Sequence, residues 1–484
     1  MGVPTTVQRA RPDRASRSMV PWVAVGTVGA VGLAMVGTTL GAIPEPGDTG
    51  WWFSVPAGSS LPAHVAFYVA TALLVAGWVG VGVGARAGRL SVRRSWVLLA
   101  CWGLPLLVGP PVFSRDLYSY IGQGLLANHG LNPYTVAPSA LANPHLLTSI
   151  ASVWRNTASP YGPLFVLASR ATVAMAGSSL VAQVLAFRLL ELVGVALLMV
   201  FLPRLARHLG TDPGLALWLG VLSPLALFSF VASGHNDALM IGLLVAGVTL
   251  SLGGRLAVGV ALCALAATIK LPAAAAIVFL AVDQYRSTPP GRRWPIVAQA
   301  VVVPVVVVAA VTWISGLGWT WLGPTALHIP TELRVLSSPS VALGTFVRDV
   351  LHGVGLPVRL SPTVTAVQIL CELLAVAGTV WLVGNTHRVE VVRLLGLALV
   401  LIVVGSPTVW PWYLLWGLVL LAATPLQRSP VLAVVAGVAM LVVGPGGTPM
   451  FNGYDVWVVA PLLLAGCVWL IWDHHWRSVV GSAA

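Results

Sequence analysis

Charged side chains are scarce in this chain. Only 8% of its 484 residues are charged, whereas 57% are hydrophobic. A water-soluble domain needs roughly a quarter of its residues charged to cover its surface, so this deficit excludes a chain of soluble domains. Apolar runs of about 20 residues recur along the whole sequence, as membrane-spanning helices require. We therefore expect an all-α integral membrane protein.

Lysine is almost absent, and the other basic residues are unevenly spread. The formal net charge is +12, yet Lys270 is the single lysine of the sequence. Arginines cluster in the short gaps 86–94, 204–207 and 286–293 between apolar runs. A nucleic-acid-binding patch would need a soluble face to lie on, so we expect membrane lipids and no nucleic acid as partners. The pattern follows the positive-inside rule, which places these gaps in the cytosol.

Cysteines are few and follow no metal-binding pattern. Each of the four lies in an apolar run, and no two have the spacing of a pair of metal ligands. The sequence therefore predicts buried free thiols.

The arginine-rich gaps define a topology for the chain. With 86–94 in the cytosol, the residues that follow Phe113 lie outside, and the apolar runs sum to about fourteen spans with both ends inside. The first apolar stretch is too long for a cleavable signal peptide, which favours an uncleaved anchor. The expected organisation is a basic cytosolic tail (1–19), one polytopic membrane domain (20–476) with long outer segments at 114–180 and 315–361, and a cytosolic tail (477–484).

The first spans are predicted from the lengths of the apolar runs. They are 20–43, 65–86, 95–113, 181–203, 214–232, 237–252, a broken pair within 256–285, and 295–314. In the outer segment 114–180, apolar residues alternate with polar ones, which is typical of helices that lie flat at a membrane surface. The apolar stretch 159–177 contains Arg170. A membrane crossing there would give an even number of crossings between Asp116 and the basic gap 204–207, and so would place that gap outside the cytosol. We interpret it as interfacial or re-entrant.

Asp116 is the first acidic residue after nearly seventy residues, and it directly follows an apolar run. A carboxylate beside an apolar wall is partly desolvated, which makes it a stronger base for proton abstraction. The alternative is structural, because Ser114 and Asp116 precede a predicted helix and either side chain could cap it. The residue types alone leave both interpretations open.

Two other polar groups are predicted on the outer face. His235, Asn236 and Asp237 lie at the tip between two spans, where they could cap the next helix, bind sugar hydroxyls or hold a metal ion. Lys270 separates two short apolar stretches, where it could simply extend to the interface or bind a lipid phosphate. Within the fourth span, Arg188 and Glu191 are three residues apart and are predicted to pair.

Tryptophans mark the predicted outer boundaries of the spans. Most of them are expected to form the aromatic belt of membrane proteins. Aromatic faces also stack on sugars, so one or two of these tryptophans are candidates for both roles. The tryptophans at these boundaries are Trp51, Trp52, Trp319, Trp321, Trp410 and Trp412.

Five motifs resemble a known family. They are "SRDLYSYIGQGLLANHGLNPY" (114–134), "ASPYGPLF" (158–165), "SGHNDALMIGLLVAG" (233–247), "IKLPAAAA" (269–276) and "SPTVWPWYLLW" (406–416). In this order they resemble the actinobacterial polyprenyl-phosphomannose-dependent α-1,6-mannosyltransferases of the MptA/MptB family, which have the GT-C fold. The similarity covers roughly residues 95–420.

The resemblance implies an inverting transfer outside the cytoplasm, at the plasma membrane. The donor would be polyprenyl-phosphate mannose and the acceptor a lipid-linked mannan, in the biosynthesis of lipomannan and lipoarabinomannan. Enzymes with this fold commonly use an acid of the first large outer loop as catalytic base, and the matching residue is Asp116. No DxD motif accompanies Asp116, so we expect neither a metal ion nor a cofactor.

Chemistry suggests the remaining site residues. A lipid phosphate that leaves needs cationic stabilisation, for which the candidates are Lys270, Arg334 and Arg115. The residues expected to contact sugar or donor are His235, Asn236, Asp237, Tyr118, Trp410 and Tyr413. The alternatives are a GT-C enzyme for another polyprenyl-phosphate sugar, and a polytopic lipid or sugar transporter, for which internal repeats would be expected.

Overall fold

A computed structural model of the chain describes residues 18–43, 60–323, 338–387 and 390–425, with 435, 437, 439 and 443–447. Fifteen helices of eight residues or more lie in this part. They are α1 (Val20–Leu40), α2 (Leu61–Arg86), α3 (Val92–Val108), α4 (Asp116–Asn128), α5 (Pro163–Ala176), α6 (Leu180–His208), α7 (Pro213–Gly220), α8 (Asp237–Leu252), α9 (Leu256–Ala267), α10 (Ala275–Ser287), α11 (Arg293–Ser315), α12 (Pro339–Gly353), α13 (Leu360–Gly384), α14 (Val391–Gly405) and α15 (Leu415–Ala422).

Five of these helices are long and apolar enough to cross a bilayer. They are α1, α2, α6, α11 with the turn before it, and α13, and a sixth span results if the bent element 213–232 crosses as one. The chain is therefore a membrane protein built of α-helices. The total of about fourteen spans stays a prediction, because most of 426–484 lies outside the described residues.

The first two spans pack with their backbones in close contact. A Cβ atom at Gly29 would lie 2.5 Å from the backbone nitrogen of Leu74, and one at Gly77 would lie 2.6 Å from the Cα atom of Gly26. Small residues allow helices in a membrane to approach this closely, and dispersion contacts then stabilise the pair.

The span predicted over 214–232 is broken. The helix α7 ends at Gly220, and the chain resumes at Pro224 with a bend of 52°. Pro224 has no amide hydrogen to continue the ladder of the preceding helix, so a break here is expected from its chemistry. Residues Leu227–Ala232 then form a π-helix, a wide turn that is often found beside functional sites.

The arginine-rich gaps and the acidic motifs lie at opposite ends of the helices. The helix α3 carries Arg93 and Arg94 in its first turn and runs for 17 residues, about 25 Å, towards Asp116. The helix α8 runs from Asp237 back towards Arg255, and α9 returns from there towards Lys270. The sequence motifs therefore converge at the end remote from the basic gaps.

A pair of tryptophans joins α2 and α7 at the basic end. The indole nitrogen of Trp78 donates to the carbonyl of Trp218 (3.0 Å), and that of Trp218 donates to the carbonyl of Trp78 (2.9 Å). The rings are stacked with centroids 4.6 Å apart. Each indole N–H group thus donates to the backbone carbonyl of the other tryptophan. These contacts fix α7, the first half of the bent element, against α2.

The segment 114–180 carries several short helices and one longer amphipathic pair. The helix α4 packs against α5, and α5 also contacts α6 and α11. With 14 residues, α5 is shorter than the roughly 20 residues that a crossing requires. The interfacial or re-entrant character expected for 159–177 stays a prediction.

Candidate active site

Asp116 is the first residue of α4, yet its carboxylate does not cap the helix. The hydroxyl of Ser114 accepts the hydrogen bond from the backbone N–H of Asp116 (3.1 Å). The indole nitrogen of Trp154 donates to Oδ1 of Asp116 (3.2 Å), and Nδ1 of His235 lies 3.4 Å from Oδ2. The Asp116 side chain is 12% exposed. Its oxygens are therefore largely shielded from solvent, in a cluster of buried polar and aromatic residues that we call the pocket.

The residue three before Asp116 has an unusual backbone. Phe113 has φ 71°, which is rare for a residue with a side chain. Its amide donates to the carbonyl of Pro445 (2.8 Å), and its ring is stacked on Phe228 with centroids 4.5 Å apart. Ser233 Oγ donates to the carbonyl of Val112 (2.7 Å). These contacts hold the start of α4 against the segment that leads to His235.

His235 lies in a stack of aromatic rings. The residue is fully buried, and its ring is stacked on Trp412 with centroids 3.9 Å apart and planes 20° apart. Trp412 is in turn stacked on Trp410 at 5.0 Å. The motif 406–416 thus forms one wall of the pocket that contains Asp116.

Asn236 is fully buried, and neither its amide nitrogen nor its amide oxygen has a hydrogen-bond partner among the described residues. It precedes α8 but makes no capping bond with its side chain. Unpaired polar atoms are costly in a protein interior. A buried amide with both atoms unpaired therefore indicates a position where a ligand would complete the hydrogen bonds.

Asp237 and Lys270 form a buried ion pair. Nζ of Lys270 donates to Oδ2 of Asp237 at 2.7 Å, and the indole nitrogen of Trp416 donates to Oδ1 at 2.5 Å. Nζ also lies over the rings of Tyr413 (4.7 Å), Tyr161 (5.6 Å) and Trp416 (5.7 Å). Lys270 is only 8% exposed. It does not extend along the protein surface, and aromatic faces surround its ammonium group.

Tyr161 lies beside this ion pair, within the electrostatic influence of Asp116. Burial raises the pKa of the Tyr161 phenol well above its ordinary value, and the negative charge of Asp116 acts in the same direction. Burial is also the main cause that raises the pKa of Tyr120, whose ring meets that of Tyr161 edge-on at 5.3 Å. Both phenols therefore stay protonated over the physiological pH range and offer O–H donors to the pocket.

A glycine brings two of the motifs together. Gly162 donates its amide hydrogen to the carbonyl of Ile269 (2.9 Å), and Leu164 donates to that of Thr268 (3.0 Å). A Cβ atom at Gly162 would lie 2.2 Å from the oxygen of Thr268. Only glycine permits this approach, which places Tyr161 beside Lys270.

Gly162→Ala is expected to destabilise the fold and to lower activity, because backbone atoms of Thr268 would have to move. We expect a loss of about 1–3 kcal/mol in unfolding free energy, as for other overpacked sites. The measurement is thermal unfolding in detergent with an activity assay. Gly291→Ala is the matched control, since a Cβ atom there meets nothing within 4 Å. Equal effects of the two substitutions would contradict the role given to Gly162.

Two predicted site residues are bound to backbone outside this cluster. The guanidinium of Arg115 donates to the carbonyls of Thr148 (3.4 Å), Ser149 (3.2 Å) and Ile43 (3.2 Å). The hydroxyl of Tyr118 donates to the carbonyl of Ala42 (2.7 Å). These contacts anchor the first turn of α4. A third predicted residue, Arg334, lies outside the described residues.

The structure thus brings six of the predicted residues into one pocket. They are Asp116, His235, Asn236, Asp237, Lys270 and Tyr413, and Trp410 lies behind them in the stack. Among the residues that the structure describes, no group of three or more His, Cys, Asp and Glu side chains is placed to hold a metal ion.

Comparisons with known proteins assign the chain to a family. A family model described as alpha-(1->6)-mannopyranosyltransferase, N-terminal domain, matches residues 23–286, and one of the MptB C-terminal domain matches residues 340–472. The chain belongs to the MptA/MptB family. All of the pocket residues named above lie within these two matches. No solved structure matches the chain.

Several relatives in this family cover most of the chain. Alpha-(1->6)-mannopyranosyltransferase A of Mycobacterium tuberculosis is 31% identical over 86% of this chain and 81% of its own length. A probable alpha-(1->6)-mannopyranosyltransferase of Mycolicibacterium smegmatis is 34% identical over 76% of this chain and 71% of its own. Alpha-(1->6)-mannopyranosyltransferase A of Corynebacterium glutamicum is 29% identical over 84% and 88%.

In this member of the MptA/MptB family, Arg188 and Glu191 do not bind each other, so the predicted pair is wrong. The guanidinium of Arg188 donates to the carbonyls of Leu107 (2.7 Å) and Gly109 (2.5 Å), and also to that of Ala232. It therefore satisfies carbonyls at the end of α3 and of the π-helix, which have no helical partner. Both segments lead directly into the pocket.

Three residues of this cluster were not predicted as site residues. They are Trp154, Tyr161 and Trp416, which contact Asp116, Lys270 and Asp237 respectively. Trp412, one of the tryptophans predicted to be able to stack on a sugar, contacts His235. Tyr161, Trp412 and Trp416 lie within the motifs that carry the family resemblance. Only Trp154 lies outside these motifs. In sequence it cannot be distinguished from any other apolar residue of an interfacial helix.

Proposed function

We propose that the protein transfers mannose from polyprenyl-phosphate mannose to a lipid-linked mannan acceptor and forms an α-1,6 linkage with inversion. Membership of a family of α-(1→6)-mannopyranosyltransferases supports mannosyl transfer. The assignment of the catalytic base rests on the different surroundings of two acidic residues, Asp116 and Asp237. An ammonium group neutralises Asp237, whereas within the described part of the chain the Asp116 carboxylate contacts only an indole N–H and an imidazole. Asp116 is therefore the base.

In the proposed reaction, the acceptor 6-hydroxyl attacks the anomeric carbon of the β-linked donor. Asp116 takes the hydroxyl proton as the new C–O bond forms. The bond between the anomeric carbon and the phosphate oxygen breaks, and its electron pair stays on the phosphate. The attack comes from the face opposite the leaving group, so the product is the α-mannoside. No redox change occurs.

Lys270 is the proposed electrostatic stabiliser of the leaving phosphate. Its ammonium has three N–H donors, of which one binds Asp237. A fixed cation in a closed pocket is worth more than one in water, because it needs no reorganisation when negative charge develops. Arg334 and Arg115 remain proposed second cations, although backbone carbonyls hold Arg115 in this conformation.

The sugar is proposed to lie against the aromatic wall. His235 and Asn236 have buried ring and amide atoms without hydrogen-bond partners, which suit the hydroxyl groups of a hexose. Trp410 and Tyr413 offer aromatic faces next to them. Tyr118 is proposed to act on the substrate only through the start of α4, which it anchors.

We infer that this pocket faces the extracytoplasmic side of the plasma membrane. The arginine-rich gaps lie at the other end of α3, α8 and α9, and such gaps are normally cytosolic. A pocket at the membrane boundary suits a donor and an acceptor that are both held by lipid. The proposed setting is the assembly of lipomannan and lipoarabinomannan by an enzyme of GT-C type.

The test is a transfer assay with the full-length protein in nanodiscs. Labelled polyprenyl-phosphate mannose and a lipid-linked mannoside acceptor are supplied, with GDP-mannose as the control donor. We expect a product with a new α-1,6 linkage from the lipid donor alone. Transfer of another polyprenyl-phosphate sugar would replace the donor assignment. Movement of lipid-linked sugar across the bilayer without a new glycosidic bond would favour a transporter.

A further inference from the structure

Glu191 is a buried acid that the proposed reaction does not use. It is fully buried on α6, where Oε2 accepts a hydrogen bond from the backbone N–H of Leu239 (3.1 Å) and Oε1 has no partner in the part of the chain that the structure describes. The helices approach closely here, since a Cβ atom at Gly194 would lie 2.2 Å from the carbonyl carbon of Ala238. The carboxylate of Glu191 on α6 thereby reaches the first turn of α8.

The N–H of Leu239 is one that Asn236 would ordinarily satisfy. Asn236 precedes the first residue of α8, and Leu239 is the third residue of the helix. Asparagine at this position commonly accepts a hydrogen bond from the third helical N–H, with its own backbone extended. The backbone of Asn236 is instead helical (φ −62°, ψ −6°), and its amide is unpaired.

We propose that Glu191 is a positioning residue that caps α8 from the neighbouring helix and so keeps the Asn236 amide available to the sugar. The sugar contact rests on the proposed function. With its first turn satisfied by Glu191, α8 needs no side-chain cap from Asn236. The amide then has one buried donor and one buried acceptor to offer, which suits a pair of sugar hydroxyls.

Kinetics separate this role from ordinary structural support. In Glu191→Ala, residue 236 is expected to turn back and cap α8, so KM for the donor rises roughly five- to tenfold, the effect of one lost hydrogen bond. Little change in kcat is expected, because binding and not chemistry is affected. Glu191→Gln keeps an acceptor oxygen for Leu239 and is expected to keep KM near the wild-type value.

The double variant gives the sharpest kinetic outcome. Asn236→Ala should raise KM by the same factor as Glu191→Ala, and the two together should raise it no further, because both act through one amide. Ser251→Ala is the control, since Ser251 is also buried and unpaired but lies at the other end of α8. Additive effects of the first two, or a Glu191→Gln variant as impaired as Glu191→Ala, would overturn the proposal.

Thermal unfolding without substrate tests the same cap independently of the reaction. Glu191→Ala alone should lower the midpoint only slightly, because Asn236 replaces the lost cap, and Asn236→Ala alone should have little effect. The double variant should lower the midpoint by more than the sum of the two. Additive losses, or a Glu191→Ala protein that does not fold, would refute the exchange. This result holds whether or not the protein proves to transfer mannose.

Discussion

Replacing Asp116 by asparagine is expected to lower kcat for mannosyl transfer by about 10²- to 10⁴-fold, the usual contribution of a general base. The amide has almost the volume of the carboxylate, and its oxygen can still accept the hydrogen bond from Trp154. It cannot take the proton of the attacking hydroxyl. Single-turnover transfer in nanodiscs at saturating donor measures this step directly, and KM for the donor should change little.

Ser114→Ala is the matched control for this substitution. Ser114 Oγ accepts from the N–H of Asp116, so the variant loses this hydrogen bond at the start of α4 and keeps the carboxylate. We expect a loss of about 1 kcal/mol in stability and nearly full turnover. If the asparagine variant is as active as wild type, Asp116 is not the base, whereas mannosyl transfer by the protein would stand.

Replacing Lys270 by methionine is expected to affect both stability and catalysis. Loss of the ammonium leaves the buried carboxylate of Asp237 without its cation, and breaking one side of a buried ion pair costs about 3–5 kcal/mol. The leaving phosphate also loses its stabilising charge. By analogy with the removal of one fixed donor from an oxyanion hole, kcat should fall about 10²- to 10³-fold.

Combining Lys270→Met with Asp237→Asn separates the two effects. Removal of both charges should restore most of the stability, because no uncompensated charge remains in the pocket. Turnover should stay low. Thermal unfolding and single-turnover transfer on the same preparations make the comparison. A double variant that regains both stability and turnover would show that Lys270 only balances Asp237.

Several helices were predictable because their signals are local. The starts of α1 and α8 lie where the apolar runs begin after Met19 and Asn236, and α2 ends and α3 begins within the basic gap 86–94. The bend at Pro224 was missed, since an apolar run of 19 residues gives the length of a span and no information on its continuity. Proline chemistry was the available signal.

The convergence of the site was predicted in part. The topology set by the arginine-rich gaps predicts that Asp116, His235 and Lys270 lie at the opposite end of the bundle. The structure places these three residues close together. Helical spacing also suggested that Arg188 would bind Glu191. That prediction failed because each group binds backbone atoms instead. Arg188 binds carbonyls at the end of α3 and of the π-helix, and Glu191 binds an N–H of α8, whose close approach to α6 depends on Gly194 and Gly242. Such contacts between distant segments leave no periodic signal.

The aromatic residues of the pocket were the hardest to assign. Tryptophans at the ends of spans are expected from the membrane interface alone. Trp412 and Trp416 differ from the others only in what they contact, which is His235 and Asp237. The sequence predicts only that these tryptophans lie near a membrane boundary. The fold is needed to show which side chains they contact.

The two stacked tryptophan pairs lie at opposite ends of the molecule, so each end carries its own spectroscopic probe. Trp78 and Trp218 are 4.6 Å apart with planes at 17°, and Trp410 and Trp412 are 5.0 Å apart with planes at 7°. Indoles this close couple their electronic transitions, which produces a paired band in circular dichroism. Difference spectra against Trp218→Phe and Trp410→Phe would isolate the two signals, so that the order in which the two ends of the bundle melt becomes observable.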